Sequence, residues 1–180
     1  MTASSFNLRC NSYTKMFGKI INQISITKLA SKDRRLLIIS ALVLMLAGEL
    51  LLRFFYEVIL RLPQIEYSSQ SLKSEQNFGI KFIFIFLLAP ILETLFFQTF
   101  LIGFASRFIP LKVCLVISIV TFGISHFYTL AYIISALYMG CIFSLAYIIF
   151  SKKKQRPTFN TTIIHGLRNL IALIATYLNQ

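Results

Sequence analysis

The sequence predicts an all-α fold, a polytopic transmembrane helix bundle of about five spans with a polar site inside the membrane. The first observation behind this prediction is composition: 57% of the 180 residues are hydrophobic, only 13% are charged, and the mean hydropathy is +0.75. A soluble domain of this size could not bury so much apolar surface. The second observation is that the apolar residues form separate runs of about 20 residues, the length of a helix that crosses a bilayer. We therefore expect an integral multi-pass membrane protein whose surroundings are the lipid bilayer.

Five apolar runs define the predicted spans in chain order, at residues 36–60, 82–104, 112–127, 129–150 and 159–178. The third and fourth runs are almost continuous and together too long for one helix, so we place a tight hairpin at 126–129 between them. A polar loop at 61–80 separates the first two spans. The predicted domain organisation is a basic segment at 1–35 followed by one transmembrane domain at 36–180.

Basic residues predict the orientation in the membrane. The formal net charge is +12, but most Lys and Arg residues lie before and between the apolar runs, as topology signals do. Seven precede the first span, two follow the second, four lie at 151–157, and only three fall on the opposite side. This asymmetry favours a cytoplasmic N-terminus, contact with anionic lipid and no nucleic-acid partner, and we expect a bacterial plasma (inner) membrane. The segment 1–35 is compatible with an amphipathic helix on the membrane surface or with a disordered tail.

Charged residues inside the first predicted span need partners. Glu49, Arg53 and Glu57 follow one another at intervals of four and therefore share one helix face. We interpret them either as a structural ion-pair stripe that faces the bundle or as part of a site.

One carboxylate, Glu93, lies at the centre of the second predicted span. A charge at that depth costs roughly 2.5–3.5 kcal/mol on an insertion scale, so its side chain should face polar partners in the bundle. Pro90 removes a helical hydrogen bond one turn earlier and predicts a kink. His126 lies in the hairpin region, and His165 and Asn169, four apart in the last span, project from one helix face. Each group alone is often a packed residue or interhelical glue; together they predict one shared polar site.

This set of residues suggests peptide hydrolysis. A carboxylate in a low-dielectric pocket binds a proton more readily than in water, which suits a general base near neutral pH. A neighbouring histidine can orient a water molecule, and a His/Asn pair offers two donors to an oxyanion. One acid and two histidines could instead bind zinc, but the sequence has no His-Glu-x-x-His motif. The three cysteines, at positions 10, 114 and 141, predict neither a disulfide framework nor a zinc site. We expect no metal and no cofactor.

Three segments resemble the motifs of a known family. Residues 89–98 (APILETLFFQ) are similar to the E-E-x-x-x-R motif of the CAAX-protease and bacteriocin-processing (CPBP) intramembrane proteases. Residues 122–126 (FGISH) match the F-x-x-x-H motif, and residues 165–169 (HGLRN) match the H-x-x-x-N motif. Their order, their spacing and their positions on separate predicted helices agree with the family. The resemblance covers a core at residues 80–180.

The resemblance implies a helical membrane bundle that cleaves a membrane-associated protein or peptide. By this resemblance Glu93 is the general base for water and His126 assists it. His165 and Asn169 stabilise the oxyanion, and Phe122 is the supporting residue of the second motif. The resemblance also implies a glutamic rather than a zinc peptidase, although the family was long described as metal-dependent.

The chain departs from the family motif at two positions and adds one charge. Thr94 stands where the motif has its second glutamate, and Gln98 stands where it has arginine. A Thr94–Gln98 hydrogen bond could replace an ion pair between positions four apart, so we expect the scaffold to persist. Arg168 is expected to face a phosphate headgroup or one of the acids of the first span. Two other functions stay open: an inactive scaffold or bacteriocin-immunity-type protein of the same fold, and a small proton-carrying transporter.

Overall fold

The computed structural model describes residues 33–59 and 78–178, and every regular element in these ranges is helical. Five helices follow one another: α1 at 34–59, α2 at 78–107, α3 at Leu111–Ile124, α4 at Leu130–Lys152 and α5 at Pro157–Leu178. The predictions for residues 1–32 and for the loop at 61–77 fall outside the described residues. The chain divides into two units, up to Leu37 and from Ile38 onward, and the site described below lies entirely in the second.

Among the residues that the structure describes, four segments are long and apolar enough to cross a membrane: Arg34–Phe54, Phe84–Arg107, Leu130–Lys152 and Pro157–Leu178. The structure therefore confirms the predicted polytopic helical bundle. The third predicted span differs, because α3 has only 14 residues. At 1.5 Å per residue this is about 21 Å, which is shorter than the ~30 Å hydrocarbon core.

Local hydrogen bonds explain why α3 is short. Pro110, with φ −53° and ψ 131°, precedes the first turn with an extended backbone, so the helix begins after it. At the other end, the backbone N–H of His126 donates to the carbonyl of Gly123 at 3.1 Å, three residues back instead of four. The carbonyl of Phe122 accepts from the Ser125 hydroxyl at 2.8 Å and also meets the His126 ring. Side chains thus replace the next helical bond, and the predicted hairpin follows.

The central helix of the bundle is α4. It packs against α3, α5 and the second half of α2, and its fully buried side chains include Phe143 and Phe150. A buried serine pair links three helices. The Ser118 hydroxyl of α3 donates to the carbonyl of Phe97 in α2 at 2.8 Å and lies 3.2 Å from the Ser144 hydroxyl of α4. Hydrogen bonds of this kind hold membrane helices together where the hydrophobic effect does not.

The first helix, α1, contacts the others along a narrow line. Met45 is the buried residue of its α-helical part, and the remaining side chains of that part keep exposed surface. At Gly48, an added Cβ would collide with the Tyr138 hydroxyl, so the absence of a side chain lets this α4 ring approach. The Tyr138 hydroxyl also donates to the carbonyl of Leu44 at 2.6 Å. One tyrosine of α4 therefore docks α1 against the bundle.

The second helix, α2, is irregular around Pro90. In order, its segments are α-helix at Phe78–Ile83, π-helix at Phe84–Leu88, α-helix at Ala89–Glu93, π-helix at Thr94–Phe104 and 3₁₀-helix at Ala105–Arg107. The N–H of Ala89 donates five residues back, to the carbonyl of Phe84. In the same pattern the next N–H would serve Ile85, but residue 90 is proline and has no N–H. The carbonyl of Ile85 is thereby freed for a partner from another helix.

That partner comes from α5. The side-chain amide of Asn169 donates to the carbonyl of Ile85 at 3.1 Å. Gly166 permits this close approach, because an added Cβ would lie 2.8 Å from a neighbouring carbonyl oxygen of α2. Nearer the start of α5, the hydroxyls of Thr158 and Thr99 lie 2.9 Å apart. These contacts show that α5 runs antiparallel to α2 and begins level with Thr99.

Candidate active site

Glu93 ends the α-helical stretch around Pro90, and the longer π-helical segment of α2 begins at the next residue. Its carboxylate faces two histidines from different parts of the chain. Oε2 of Glu93 lies 3.5 Å from Nε2 of His165 and 3.9 Å from Nε2 of His126. The Glu93 side chain is 28% exposed, while Oε2 itself is buried and makes no hydrogen bond within the described residues. The structure thus brings one acid and two imidazoles together.

These three side chains meet because the helices are staggered. Counted along the predicted spans, His126 should lie nearer the outer side of the membrane than His165. Glu93 lies 14 residues before the end of α2, and His126 lies 15 residues after the start of α3, so these two become level. His165 follows the start of α5 by only 8 residues, but α5 begins level with Thr99. Because α5 begins at this level of α2, His165 lies at the depth of Glu93, and the expected difference in depth between the two histidines disappears.

A backbone carbonyl orients the His126 ring. Nδ1 lies 2.8 Å from the carbonyl oxygen of Phe122 and 3.1 Å from the Ser125 hydroxyl. Because a carbonyl can only accept, this bond assigns the proton of neutral His126 to Nδ1 and leaves the Nε2 lone pair facing Glu93. The ring also packs against Phe122, at 4.7 Å between centroids, and against Tyr132, at 5.6 Å. His126 therefore presents an acceptor to the site.

Aromatic packing holds His165 instead. Its side chain is only 5% exposed, and its ring lies 4.3 Å from the ring of Phe143, at an interplanar angle of 31°. Phe122 lies 5.8 Å from the same ring and so contacts both histidines of the site. The second ring nitrogen, Nδ1 of His165, is buried without a hydrogen-bond partner among the described residues.

Asn169 shares a helix face with His165, but its side chain is engaged elsewhere. Its Nδ2 donates to the carbonyl of Ile85 at 3.1 Å, and its Oδ1 accepts from the Arg168 guanidinium at 3.3 Å. The amide is therefore turned toward the backbone of α2. An amide nitrogen carries two N–H groups, and the bond to Ile85 uses one of them.

The three motif segments all lie within the part of the chain that a protein-family model matches. The family model described as Type II CAAX prenyl endopeptidase Rce1-like matches residues 75–171, more than half of the chain. The chain belongs to the Rce1-like family. This membership confirms the resemblance seen in the motifs. No curated protein and no solved structure matches the chain.

Arg168 connects the site of this Rce1-like chain to α1. Its guanidinium pairs with the carboxylate of Glu49 and also donates to Asn169. Of the two partners expected for Arg168, the structure shows the acid of the first span. The sequence left open whether Glu49 belongs to a structural stripe or to a site, and two opposite charges in two apolar spans are a signal for such pairing. The side chain of Glu57 lies outside what the structure describes.

Thr94 and Gln98, where the chain departs from the family motif, are fully buried. The Thr94 hydroxyl and both polar atoms of the Gln98 amide have no hydrogen-bond partner in the described ranges. The expected Thr94–Gln98 hydrogen bond is therefore not made. Residues 94–104 are π-helical, which changes the angular offset between positions four apart from its value in an α-helix.

Within residues 33–59 and 78–178, no set of three or more His, Cys, Asp or Glu side chains is arranged to hold a metal ion. The cysteines in these ranges, Cys114 and Cys141, are free thiols. The groups that the site does assemble are a carboxylate, a histidine lone pair and buried amide and imidazole nitrogens. Such groups can orient a water molecule and move its protons.

Proposed function

We propose that this Rce1-like protein is an intramembrane endopeptidase that hydrolyses a peptide bond of a membrane-associated or lipidated substrate. The observation that carries the proposal is the position of Glu93 Oε2 between two imidazole Nε2 atoms, 3.5 and 3.9 Å away. A carboxylate inside a lipid-embedded bundle needs such partners and marks a functional site. Membership of a family described as prenyl endopeptidase-like supports the reaction class.

The hydrolytic water fits between Glu93 and His126. Oε2 of the ionised acid and Nε2 of the histidine are both acceptors and lie 3.9 Å apart. A water molecule at about 2.8 Å from each atom can donate one hydrogen bond to each, which leaves a lone pair for attack. Glu93 then removes a proton from the water as general base, while His126 orients it.

His165 acts on the oxygen of the reacting carbonyl, whereas Glu93 and His126 act on the attacking water. As the water oxygen bonds to the carbonyl carbon, negative charge develops on the carbonyl oxygen. The Nε2–H group of His165 and the second amide N–H of Asn169 are the donors for this oxyanion. When the intermediate collapses, the C–N bond breaks and the proton held by Glu93 passes to the leaving amine.

Glu93→Gln tests this function, because it keeps the shape of the side chain and removes the base. We expect cleavage of a membrane-bound reporter by the folded variant to fall by about 10²–10⁴-fold, the usual range for a general base. Asp33→Asn is the matched control, since it makes the same chemical change just before α1 and should leave cleavage unchanged. Wild-type cleavage should persist after exhaustive chelation. Undiminished cleavage by Glu93→Gln, or a loss on chelation that only zinc restores, contradicts the proposed mechanism.

We also propose a cytoplasmic N-terminus in a bacterial plasma membrane, on the basis of the distribution of Lys and Arg. Because α5 is long and apolar enough to cross the membrane, reporters fused in the loop at 153–156 and after residue 180 should report opposite sides. Signals from the same side in topology assays would contradict this arrangement.

A second function is favoured by the two variant positions of the first motif. Thr94 and Gln98 are neutral where the family motif has an acid and a base, which suits an inactive scaffold that only binds a partner. In that case neither the wild type nor Glu93→Gln cleaves a substrate, and both bind the partner equally well.

A further inference from the structure

Five buried polar atoms close to the candidate site are unpaired. They are the hydroxyls of Thr94 and Thr161, both amide atoms of Gln98, and Nδ1 of His165, none of which has a hydrogen-bond partner among the described residues. The first three residues are fully buried and His165 almost so. We call these four residues the buried polar layer.

The packing of α2 against α5 places the residues of the buried polar layer at similar depth in the bundle. The Glu93–His165 contact at 3.5 Å marks one level of this antiparallel pair, and the Thr99–Thr158 hydroxyl contact at 2.9 Å marks another. The two α2 members of the layer follow one another between these levels. On α5, Thr161 also lies between them, four residues before His165 and on the same helix face. The four residues of the layer therefore lie at similar depth, between these two contacts of α2 with α5.

Polar atoms in such a place require partners. Each unpaired atom would carry the desolvation cost of a polar group, and five such costs would approach the whole net stability of a domain. The chemistry of the layer indicates what the partner is. The Gln98 amide needs an acceptor for its N–H groups and a donor for its oxygen, and a hydroxyl pairs with either, so a partner that both donates and accepts suits the whole layer. Water does so, and a buried water typically makes about three hydrogen bonds to polar groups of this kind.

We propose that the buried polar layer binds ordered water, and that one such water donates a hydrogen bond to Nδ1 of His165. A donor at Nδ1 leaves the ring proton on Nε2, the nitrogen that faces Glu93. Thr94, Gln98 and Thr161 are then positioning residues, since they hold the water that selects the tautomer and touch no reacting atom. The catalytic consequence rests on the proposed function, whereas the water and the tautomer do not.

The tautomer can be measured directly, because the chain contains only two histidines. In ¹⁵N-histidine-labelled protein in lipid nanodiscs, His126→Gln removes one set of ring signals and assigns the other set to His165. We expect His165 to be protonated on Nε2, with an unprotonated Nδ1 that accepts a hydrogen bond, and to receive magnetisation from water. A His165 ring protonated on Nδ1, or a ring without water contact, overturns the proposal.

Variants of the layer test which residues hold the water. Gln98→Met and Thr161→Val remove polar atoms with little change in side-chain shape, and each should convert part of His165 to the Nδ1–H tautomer. Each should also lower kcat about tenfold with KM unchanged, the effect of an ordinary hydrogen bond. Thr158→Val is the matched control: it removes a paired hydroxyl from the same helix and should leave the His165 signals and kcat unchanged.

A dry layer would behave differently. Gln98→Met would then raise the thermal stability, because it removes unpaired polar atoms, and the His165 signals would not change; this result overturns the proposal. If a variant fails to fold, the tautomer of His165 in the wild-type spectrum still tests the proposal. A wild-type protein that cleaves nothing but has Nε2–H at His165 contradicts the endopeptidase and supports the water site. A protein that cleaves its reporter but has Nδ1–H at His165 supports the endopeptidase and contradicts the water site.

Discussion

His126 and His165 approach the same carboxylate from different structural settings. His126 follows the last turn of a short helix and is 19% exposed, whereas His165 lies inside a 22-residue helix and is 5% exposed. The carbonyl of Phe122 orients the first ring, and the ring of Phe143 packs against the second. The carbonyl behind the His126 ring therefore decides which hydrogen-bonding atom that ring presents to Glu93, whereas aromatic packing holds the His165 ring without selecting its tautomer. The residue type alone does not decide which nitrogen of a histidine carries the proton.

The two histidines also differ in what places them along the chain. The position of His126 depends on bonds within residues 122–126, where the end of α3 and the ring share one carbonyl. The position of His165 depends on the docking of α5 against α2, through Asn169 and the carbonyl of Ile85. Changes near His126 should therefore alter the orientation of its ring, whereas changes to the Asn169 contact with the carbonyl of Ile85 should also alter the stability of the bundle.

Removal of either imidazole should have the largest effect. We expect His126→Ala to lower kcat by about 10²-fold, because the attacking water loses one of the two acceptors that orient it. His165→Ala should lower kcat by about 10²–10³-fold, as for an oxyanion donor. Imidazole added to the assay should partly restore His126→Ala, because that ring is partly exposed, but not His165→Ala, whose position is enclosed. Equal restoration of both variants would contradict the difference between the two sides.

Asn169→Leu should lower both stability and kcat, because this amide binds the backbone of α2 and is also one of the two proposed oxyanion donors. The substitution leaves the carbonyl of Ile85 without its donor, which should lower the free energy of unfolding by about 1–3 kcal/mol. Pro90→Ala supplies a backbone N–H where α2 lacks one, so the double variant should lose less stability than the two single variants added together. Denaturant unfolding in detergent measures all three losses. Strictly additive losses would show that Pro90 does not free the carbonyl that Asn169 binds.

Much of the fold and the grouping of candidate residues could be predicted because both depend on burial. Apolar runs must lie in lipid or in the core whatever the connections between them, so the helices could be placed from composition. A carboxylate in an apolar span must find partners, so Glu93 could be grouped with His126 and His165 without knowing the fold. The opposite charges of Glu49 and Arg168 carried the same information.

The features that could not be predicted depend on the register between helices or on backbone geometry. The π-helical segment at 94–104 leaves Thr94 and Gln98 unpaired, although α-helical spacing predicts a hydrogen bond between them. The Asn169 amide donates to the carbonyl of Ile85, and this carbonyl is within its reach only because α5 docks against α2. The early end of α3 is different, because its cause is local. The side chains of Ser125 and His126 both bind the carbonyl of Phe122. The spacing of hydrophobic residues does not reveal this competition.

Ser125 provides the mildest test of the difference between the two histidines. Its hydroxyl donates to the carbonyl of Phe122 at 2.8 Å and lies 3.1 Å from Nδ1 of His126. Because the ring keeps its own bond to that carbonyl, Ser125→Ala should reduce kcat only a few-fold, less than about 1 kcal/mol of transition-state stabilisation. Thr121→Val is the matched control, since it removes another hydroxyl-to-backbone bond of α3 and should leave kcat unchanged. If Ser125→Ala were as damaging as His126→Ala, a side chain and not the carbonyl would orient this ring. The tautomer of His126 would then depend on polar side chains, as we propose for His165. The two histidines would in that case be oriented in the same way.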